Sequence, residues 1–324
     1  MRTLVPSLVL ALALILAACA QDTPAAEAGA TTSTTSPTTS TAPAPSTTEA
    51  TTTTSSTSTT TTLATGSTTL SADGTVLISE NIPFTSQLTM DVLTPTTPGA
   101  YPVVIMFHGG GWVGGDPDEI TPLATAIAAG GAVVFNAPYR LALRGGGYPT
   151  TLEDASCAVR FARERALEFG GNPAFVTVVG YSAGAHIGAV TALAGDSFTG
   201  DCNVESGSSL PDAFVGVAGP YDTDLLDPLM SVFFGTDRAK DPVAWEDGNP
   251  HTHIGENPNL IVRLIQGELD PLVPVGFSIA FNDDLLEAGY NVELTIIKDG
   301  THGTVVDPLA DGDAVVAAVL ALSG

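Results

Sequence analysis

The sequence predicts an α/β domain over residues 70–324, with a mostly parallel central sheet flanked by helices. Short apolar runs bounded by Gly or Pro alternate there with amphipathic stretches, which is the pattern of strands and helices that follow one another along the chain. The whole chain of 324 residues is 44% hydrophobic, so it has enough apolar side chains for a core. A span of about 255 residues suits one domain of this class.

The strands are predicted from short runs rich in Val, Ile and Phe. Runs at 76–78 and 88–92 are expected to begin the sheet as antiparallel strands. Six further strands are predicted at 103–107, 132–135, 176–179, 214–217, 260–265 and 292–297. Helices are predicted where apolar residues recur at helical spacing, or where an amphipathic stretch follows a strand, at 152–169, 183–194, 277–288 and 313–322.

The first 69 residues differ in composition from the rest of the chain. Arg2 precedes an almost unbroken apolar run at 4–16, which predicts a signal peptide over residues 1–18, because the run is shorter than a typical membrane span. The sequence Leu-Ala-Ala-Cys at 16–19 resembles the lipobox of bacterial lipoproteins, in which the cysteine carries the lipid. This implies an extracytoplasmic protein that is anchored to the cell membrane through Cys19, with simple secretion as the alternative.

A disordered tether is predicted between Cys19 and the folded domain, over residues 19–69. Of the 39 residues from 31 to 69, 29 are Ser or Thr. So few apolar side chains cannot offset the entropy that ordering would cost.

The charge of the chain excludes one class of partner. The chain has 35 acidic and 10 basic residues, of which three and one lie in residues 1–69, so the net charge is −25 overall and −23 for residues 70–324. Nucleic-acid binding needs clustered Lys and Arg, so no nucleic-acid partner is expected.

A candidate nucleophile lies where the predicted strand 176–179 runs directly into the helix 183–194. The sequence GYSAG at 180–184 is a GxSxG motif, with Ser182 at its centre. In this context the turn is so sharp that small residues are needed two positions before and after the serine, and the hydroxyl is exposed at the end of the sheet. A serine hydroxyl is a weak nucleophile, so Ser182 needs a base and donors for the oxyanion.

The oxyanion donors are predicted in a glycine-rich loop after the strand 103–107. The sequence HGGGW at 108–112 is an HGGG-type loop, 74 residues before the candidate nucleophile. We expect the backbone N–H groups of Gly110, Gly111 and Ala183 to bind the oxyanion.

The base and the acid that orients it are predicted in loops after the last two strands, in the chain order Ser, Asp or Glu, His. His302 follows the last strand and is the predicted base. Asp270 follows the strand before it and is expected to accept a hydrogen bond from one ring nitrogen of His302 and to stabilise the imidazolium. Glu268 is the alternative acid.

The other histidines are assigned structural roles. His108 is expected to brace the glycine-rich loop, and His186 to be a packed or solvent-facing residue of the helix 183–194. His251 and His253 form an HxH pair without a spaced third ligand, a pattern that does not predict a metal site.

With these motifs the chain resembles the α/β-hydrolase superfamily, and within it the hormone-sensitive-lipase-like carboxylesterases. Residues 139–155 and 169–173 also resemble the stretches that precede the nucleophile strand in that family. The resemblance implies a serine carboxylesterase that forms an acyl-enzyme and needs no metal or organic cofactor. Its substrate would be a small-molecule or polymer-linked ester. It would contact the membrane only through the lipid anchor.

The predicted domain differs from typical members of that family because it has no room for a cap domain over the active site. The residues between 70 and the strand 103–107 are predicted as strands, so no N-terminal cap fits there. The span 219–258 has room for a short helix and a loop but for no large lid. In this respect the chain resembles compact feruloyl and acetyl-xylan esterases, which favours a short acyl group on a bulky or carbohydrate-linked alcohol.

Two functions other than ester hydrolysis are compatible with Ser182, Asp270 and His302. An amidase, peptidase or formamidase applies the same triad to a different bond. A binding protein on an inactive hydrolase scaffold commonly lacks the serine or the histidine, and both are present here.

Cys157 and Cys202 are a candidate disulfide. Cys19 is assigned to lipid, so they remain as an even pair in an oxidising compartment. Two inert thiols are the alternative.

Overall fold

A computed structural model describes residues 67–205, 207–226 and 229–322. The strands are β1 Thr68–Leu70, β2 Val76–Pro83, β3 Thr89–Pro95, β4 Tyr101–Phe107, β5 Val133–Ala137, β6 Gly171–Tyr181, β7 Ala213–Val217, β8 Ile261–Gly267 and β9 Asn291–Ile297. They form one sheet in the order β1-β2-β3-β5-β4-β6-β7-β8-β9. The first three strands are antiparallel, β3 is antiparallel to β5, and the strands from β5 to β9 are parallel.

Helices cover both faces of this sheet. They are α1 Thr121–Ala129, α2 Thr150–Arg165, α3 Ala183–Ala194, α4 Met230–Phe234, α5 Pro242–Asp247, α6 Gly276–Glu287 and α7 Asp313–Ala321. Apolar residues of α1 and α7 pack on one face, and those of α2, α3 and α6 pack on the other. The inner strands β5 and β7 are buried along their whole length, which explains their continuous apolar runs.

The structure confirms the predicted α/β class and differs from the sequence analysis mainly at element ends. β2 continues to Pro83, well beyond the predicted end at residue 78, because backbone pairing with β3 resumes after a bulge between Ser79 and Ile82. The helix predicted at 152–169 is α-helical only to Arg165, and a 3₁₀ turn follows. Helix α1 was not predicted, since it is short and Ala-rich and has Pro122 in its first turn.

The predicted disulfide is present. Cys157 in α2 is bonded to Cys202 in the loop between α3 and β7. The two cysteines are 45 residues apart in the sequence. This bond links α2 covalently to the segment that leads into β7.

The predicted signal peptide, Cys19 and almost all of the predicted tether lie outside the described residues, which begin at residue 67. Within the part of the chain that the structure describes, no helix combines the length and the apolar character that crossing a membrane requires.

Candidate active site

The sharp turn between β6 and α3 carries Ser182. Its backbone has φ 54° and ψ −119°, a strained conformation for a residue with a side chain. A Cβ atom on Gly184 would lie 2.3 Å from the carbonyl oxygen of Phe107, so only glycine lets α3 begin so close to the end of β4. The turn therefore holds the serine hydroxyl at the carboxyl edge of the sheet.

Ser182, His302 and Asp270 form a continuous chain of hydrogen bonds. The Nε2 atom of His302 lies 3.0 Å from the Oγ of Ser182, and its Nδ1 lies 2.7 Å from Oδ2 of Asp270. The three residues follow β6, β9 and β8, so the parallel sheet brings its strand ends together at one edge. This geometry suits a serine nucleophile with a histidine base that a carboxylate orients.

The Asp270 carboxylate accepts hydrogen bonds from other groups besides His302. Its Oδ1 accepts hydrogen bonds from the backbone N–H groups of Leu272 at 2.8 Å and Val273 at 2.9 Å. Its Oδ2 also accepts one from the side-chain amide of Gln266 at 3.0 Å. Since the Asp270 side chain is fully buried, these donors replace the water that a carboxylate would otherwise bind.

Gln266 was missed by the sequence analysis. Its side chain is buried in β8, where its amide oxygen accepts from Ser278 at 2.9 Å while its amide nitrogen donates to Asp270. Its position directly after the predicted strand 260–265 and four residues before Asp270 was the signal available in the sequence.

The alternative acid, Glu268, lies elsewhere in the same loop. Its carboxylate accepts a hydrogen bond from the backbone N–H of Asp299 at 3.2 Å. Asp299 has φ 60° in the turn after β9, in line with the left-handed conformations that Asp tolerates. The structure therefore places Asp270 against His302, and Glu268 against the turn that precedes His302.

Tyr181 is a further neighbour of the base that the sequence analysis did not single out. Its hydroxyl donates to the backbone carbonyl of His302 at 3.1 Å, and the two rings lie 5.0 Å apart. Tyr181 thus links the end of β6 to the loop after β9.

The glycine-rich loop after β4 follows an unusual backbone path. Gly110 has φ 114°, Gly111 has φ 59° and Trp112 has φ 65°. The carbonyl of Gly110 accepts from the N–H groups of Val113 and Gly114, which closes the loop on itself. The N–H groups of Gly110 and Gly111 have no acceptor among the described residues, and Ala183 begins a helix, where N–H groups lack an intrahelical acceptor.

His108 and Tyr139 support the start of this loop. The two rings stack with centroids 4.4 Å apart, and the hydroxyl of Tyr139 donates to the His108 carbonyl at 2.8 Å. The His108 ring is buried, and burial lowers its pKa. These contacts agree with the bracing role expected for His108.

His186 connects the glycine-rich loop to a distant segment. The indole N–H of Trp112 donates to Nδ1 of His186 at 3.1 Å, and Nε2 of His186 lies 2.8 Å from the carbonyl oxygen of Gly248, after α5. Because Nδ1 accepts, the proton is on Nε2 and the ring is neutral. Burial lowers the pKa of His186 to about 4, which keeps it in this state. The sequence analysis missed this connection.

Ser182 and His302 face a cavity of about 220 Å³ with mostly apolar walls. One wall comes from the loop after β4 and includes Trp112 and Val113. A further part of the wall comes from the segments after β7 and β8 and includes Leu226, Leu229 and Phe277. Between β7 and β8 the described residues form α4, α5 and two 3₁₀ turns, a partial cover that is larger than the predicted single helix but is not a separate lid domain.

The two histidines of the HxH pair make separate contacts. Nδ1 of His251 lies 2.7 Å from Asp284, and Nδ1 of His253 lies 2.8 Å from Glu256. Among the described residues, no three His, Cys, Asp or Glu side chains are grouped as a metal ion would require.

The fold, with its serine at a strand-to-helix turn, defines an α/β-hydrolase. Within that class the chain belongs to the BD-FAE family, whose model matches residues 90–285. In Mycobacterium tuberculosis, the carboxylesterase NlhH is 32% identical over 219 residues, which cover 63% of this chain and 66% of the relative. The esterase LipQ of the same organism is 29% identical over 198 residues, which cover 58% of this chain and 46% of the relative. The chain therefore spans about half to two thirds of the length of these relatives.

Solved structures share the fold. A bifunctional GH43-CE protein of Bacteroides eggerthii superposes with a TM-score of 0.67 at 21% identity, over 76% of this chain and 35% of the other. An acetyl ester-xyloside bifunctional hydrolase from Caldicellulosiruptor lactoaceticus superposes with a TM-score of 0.62 at 23% identity, over 73% of this chain and 89% of the other.

Proposed function

We propose that this chain is a serine carboxylesterase that hydrolyses carboxylic esters through an acyl-enzyme. The observation that carries the proposal is the chain of hydrogen bonds from Ser182 through His302 to Asp270, which opens into an apolar cavity. The names of the relatives, esterase and carboxylesterase, support the same bond type.

In the proposed reaction Ser182 attacks the ester carbonyl while Nε2 of His302 takes its proton. Asp270 keeps the other ring nitrogen protonated and stabilises the imidazolium. The N–H groups of Gly110, Gly111 and Ala183 donate to the oxyanion, where each donor typically contributes about 3 kcal/mol. His302 then protonates the departing alcohol, and a water molecule activated by the same histidine releases the acid and restores Ser182.

The proposed substrates have short acyl groups. The cavity of about 220 Å³ is smaller than the roughly 300–1,000 Å³ of pockets that enclose drug-sized ligands. Its apolar walls favour an alkyl group, and without a lid domain over the described site the alcohol portion can extend into solvent.

The proposed site of action is the outer surface of a bacterial membrane. The support is the lipobox-like sequence at 16–19 and the Ser/Thr-rich residues up to 69. Expression in a bacterial host that processes lipoproteins, with radiolabelled palmitate in the medium, tests it. We expect the label in the wild type and none in Cys19→Ala, and equal labelling of both would contradict the lipid anchor.

The activity is tested with p-nitrophenyl esters of increasing acyl length, acetylated xylan, feruloyl esters and dipeptide amides. We expect turnover of short esters that falls by more than about 10⁴-fold in Ser182→Ala. Ser208→Ala, at a surface serine between α3 and β7, is the control and should keep full activity. Ester hydrolysis that survives in Ser182→Ala, or turnover of the amides alone, would contradict the proposal.

A further inference from the structure

One charged side chain in the catalytic cavity has no part in the proposed reaction. Glu119 lies just before α1 and lines the cavity together with Ser182 and His302. It is the only carboxylate among the described residues that line this cavity, and most of the other lining side chains are apolar.

The Glu119 carboxylate lacks a partner within the described part of the chain. It forms neither a hydrogen bond nor an ion pair there, although its backbone N–H donates to the carbonyl of Asp116. Partial exclusion of water raises its pKa, and the neighbouring charge of Asp116 adds to the effect. A carboxylate at the solvent-exposed edge of an apolar cavity therefore has hydrogen-bonding capacity that a substrate can use.

The position of Glu119 indicates which half of an ester it meets. The departing alcohol must lie within reach of Nε2 of His302, which protonates it. Glu119 is near this side of the cavity, because its charge adds to burial in raising the pKa of Tyr181, whose hydroxyl donates to the backbone carbonyl of His302. The alcohol portion therefore extends toward Glu119.

We propose that Glu119 selects esters whose alcohol portion carries hydroxyl or cationic groups and disfavours anionic alcohols. A carboxylate accepts hydrogen bonds from hydroxyls, attracts a cation and repels another carboxylate. This inference rests on the proposed esterase function and adds the chemistry of the alcohol portion to it.

The test compares matched acetate esters by kcat/KM. Acetylcholine and 3,3-dimethylbutyl acetate have nearly the same shape and differ in charge, and glyceryl monoacetate and propyl acetate differ in hydroxyls. We expect the wild type to favour the first member of each pair. The choline preference should fall about tenfold in Glu119→Gln, because the Coulombic attraction between the carboxylate and the quaternary ammonium is lost. Loss of the hydroxyl preference in Glu119→Leu but not in Glu119→Gln would identify the hydroxyl as a hydrogen-bond donor.

Asp118→Asn is the matched control. Asp118 is the preceding residue and has the same charge, but it lines a different, polar cleft with Asp91 and Asn136. We expect this variant to keep both preferences and to keep its kcat/KM on 3,3-dimethylbutyl acetate within about twofold.

Two outcomes would overturn the inference. Equal losses on every ester in Glu119→Gln would indicate a structural role, and unchanged preferences would show that the carboxylate does not meet the alcohol. A wild type that hydrolyses no ester would instead contradict the esterase function itself, so the two failures are distinguishable.

Discussion

The two sides of the candidate site are assembled in different ways. On the acid–base side, Asp270 and His302 lie in loops directly after neighbouring parallel strands, and Gln266 is in one of those strands. On the oxyanion side, Trp112 is held by His186, 74 residues away, and His186 is held by Gly248, 62 residues further on. The first side depends on strand-end positions, whereas the second depends on a packed segment between β7 and β8.

The largest expected effect is on the acid–base side. Asp270→Asn should lower kcat/KM by about 10⁴-fold, because an amide no longer fixes the ring of His302 in the required tautomer. Steady-state kinetics on p-nitrophenyl acetate, with circular dichroism to verify folding, measures this. Glu268→Gln removes a charge from the same loop and should stay within about twofold of the wild type, so equal losses in the two variants would refute the assignment of Asp270.

A smaller effect is expected from the oxyanion side. A Cβ on Gly110 would lie 2.0 Å from the carbonyl oxygen of Gly114, so Gly110→Ala must displace the loop. We expect kcat to fall by roughly 10²- to 10³-fold, the usual loss when an oxyanion donor is removed.

Gly111→Ala is the control for that displacement. Its added Cβ meets no atom within 4 Å, so only the strain of its positive φ remains, at about 1–2 kcal/mol. Kinetics of both variants on one short ester compares them, and a loss in Gly111→Ala as large as that in Gly110→Ala would exclude loop displacement as the cause.

The buried His186, which is hydrogen-bonded to Trp112 and Gly248, is expected to make the free energy of unfolding depend on pH. The buried ring has a pKa of about 4 instead of the usual 6.5, so the unfolded chain binds the proton more tightly. The stability that the neutral ring contributes is complete above pH 6.5 and is lost as the pH falls toward 4.

His186→Gln tests this linkage. Gln keeps an amide that can donate to Gly248 but does not titrate. Urea unfolding at pH 7 and pH 4.5 should show that the variant loses about 2 kcal/mol less stability between these pH values than the wild type. The same loss in both proteins would contradict a neutral His186 in the folded state.

The smallest effect is expected at Tyr181. Tyr181→Phe removes one hydrogen bond to the carbonyl of His302, which is worth about 1 kcal/mol, so kcat/KM should fall by at most about tenfold. Tyr101→Phe, whose hydroxyl contacts only Thr97 near the surface, is the control. A loss of several hundredfold in Tyr181→Phe would assign the hydroxyl a direct catalytic part.

The difference between the acid–base side and the oxyanion side also explains which parts of the site could be predicted from the sequence. Ser182 and Asp270 were predictable because each follows an apolar run of an inner, buried strand. His302 follows β9, an exposed edge strand, and was predictable from the chain order Ser, Asp, His instead.

The contact of His186 with Gly248 was not predictable, because α4 and α5 are too short for a clear helical period and their position is set by tertiary packing. The extension of β2 was missed for a related reason, since residues 79–81 are polar and only backbone pairing marks the stretch up to Pro83 as strand.

The most direct test of the central claim is labelling with a fluorophosphonate, followed by peptide mass spectrometry. The reagent reacts preferentially with a serine hydroxyl that a base activates. We predict one adduct per chain, on Ser182, with loss of esterase activity in proportion to labelling and with labelling strongly slowed in Asp270→Asn. An adduct on another residue, or an active ester hydrolase that the reagent neither labels nor inhibits, would contradict the account.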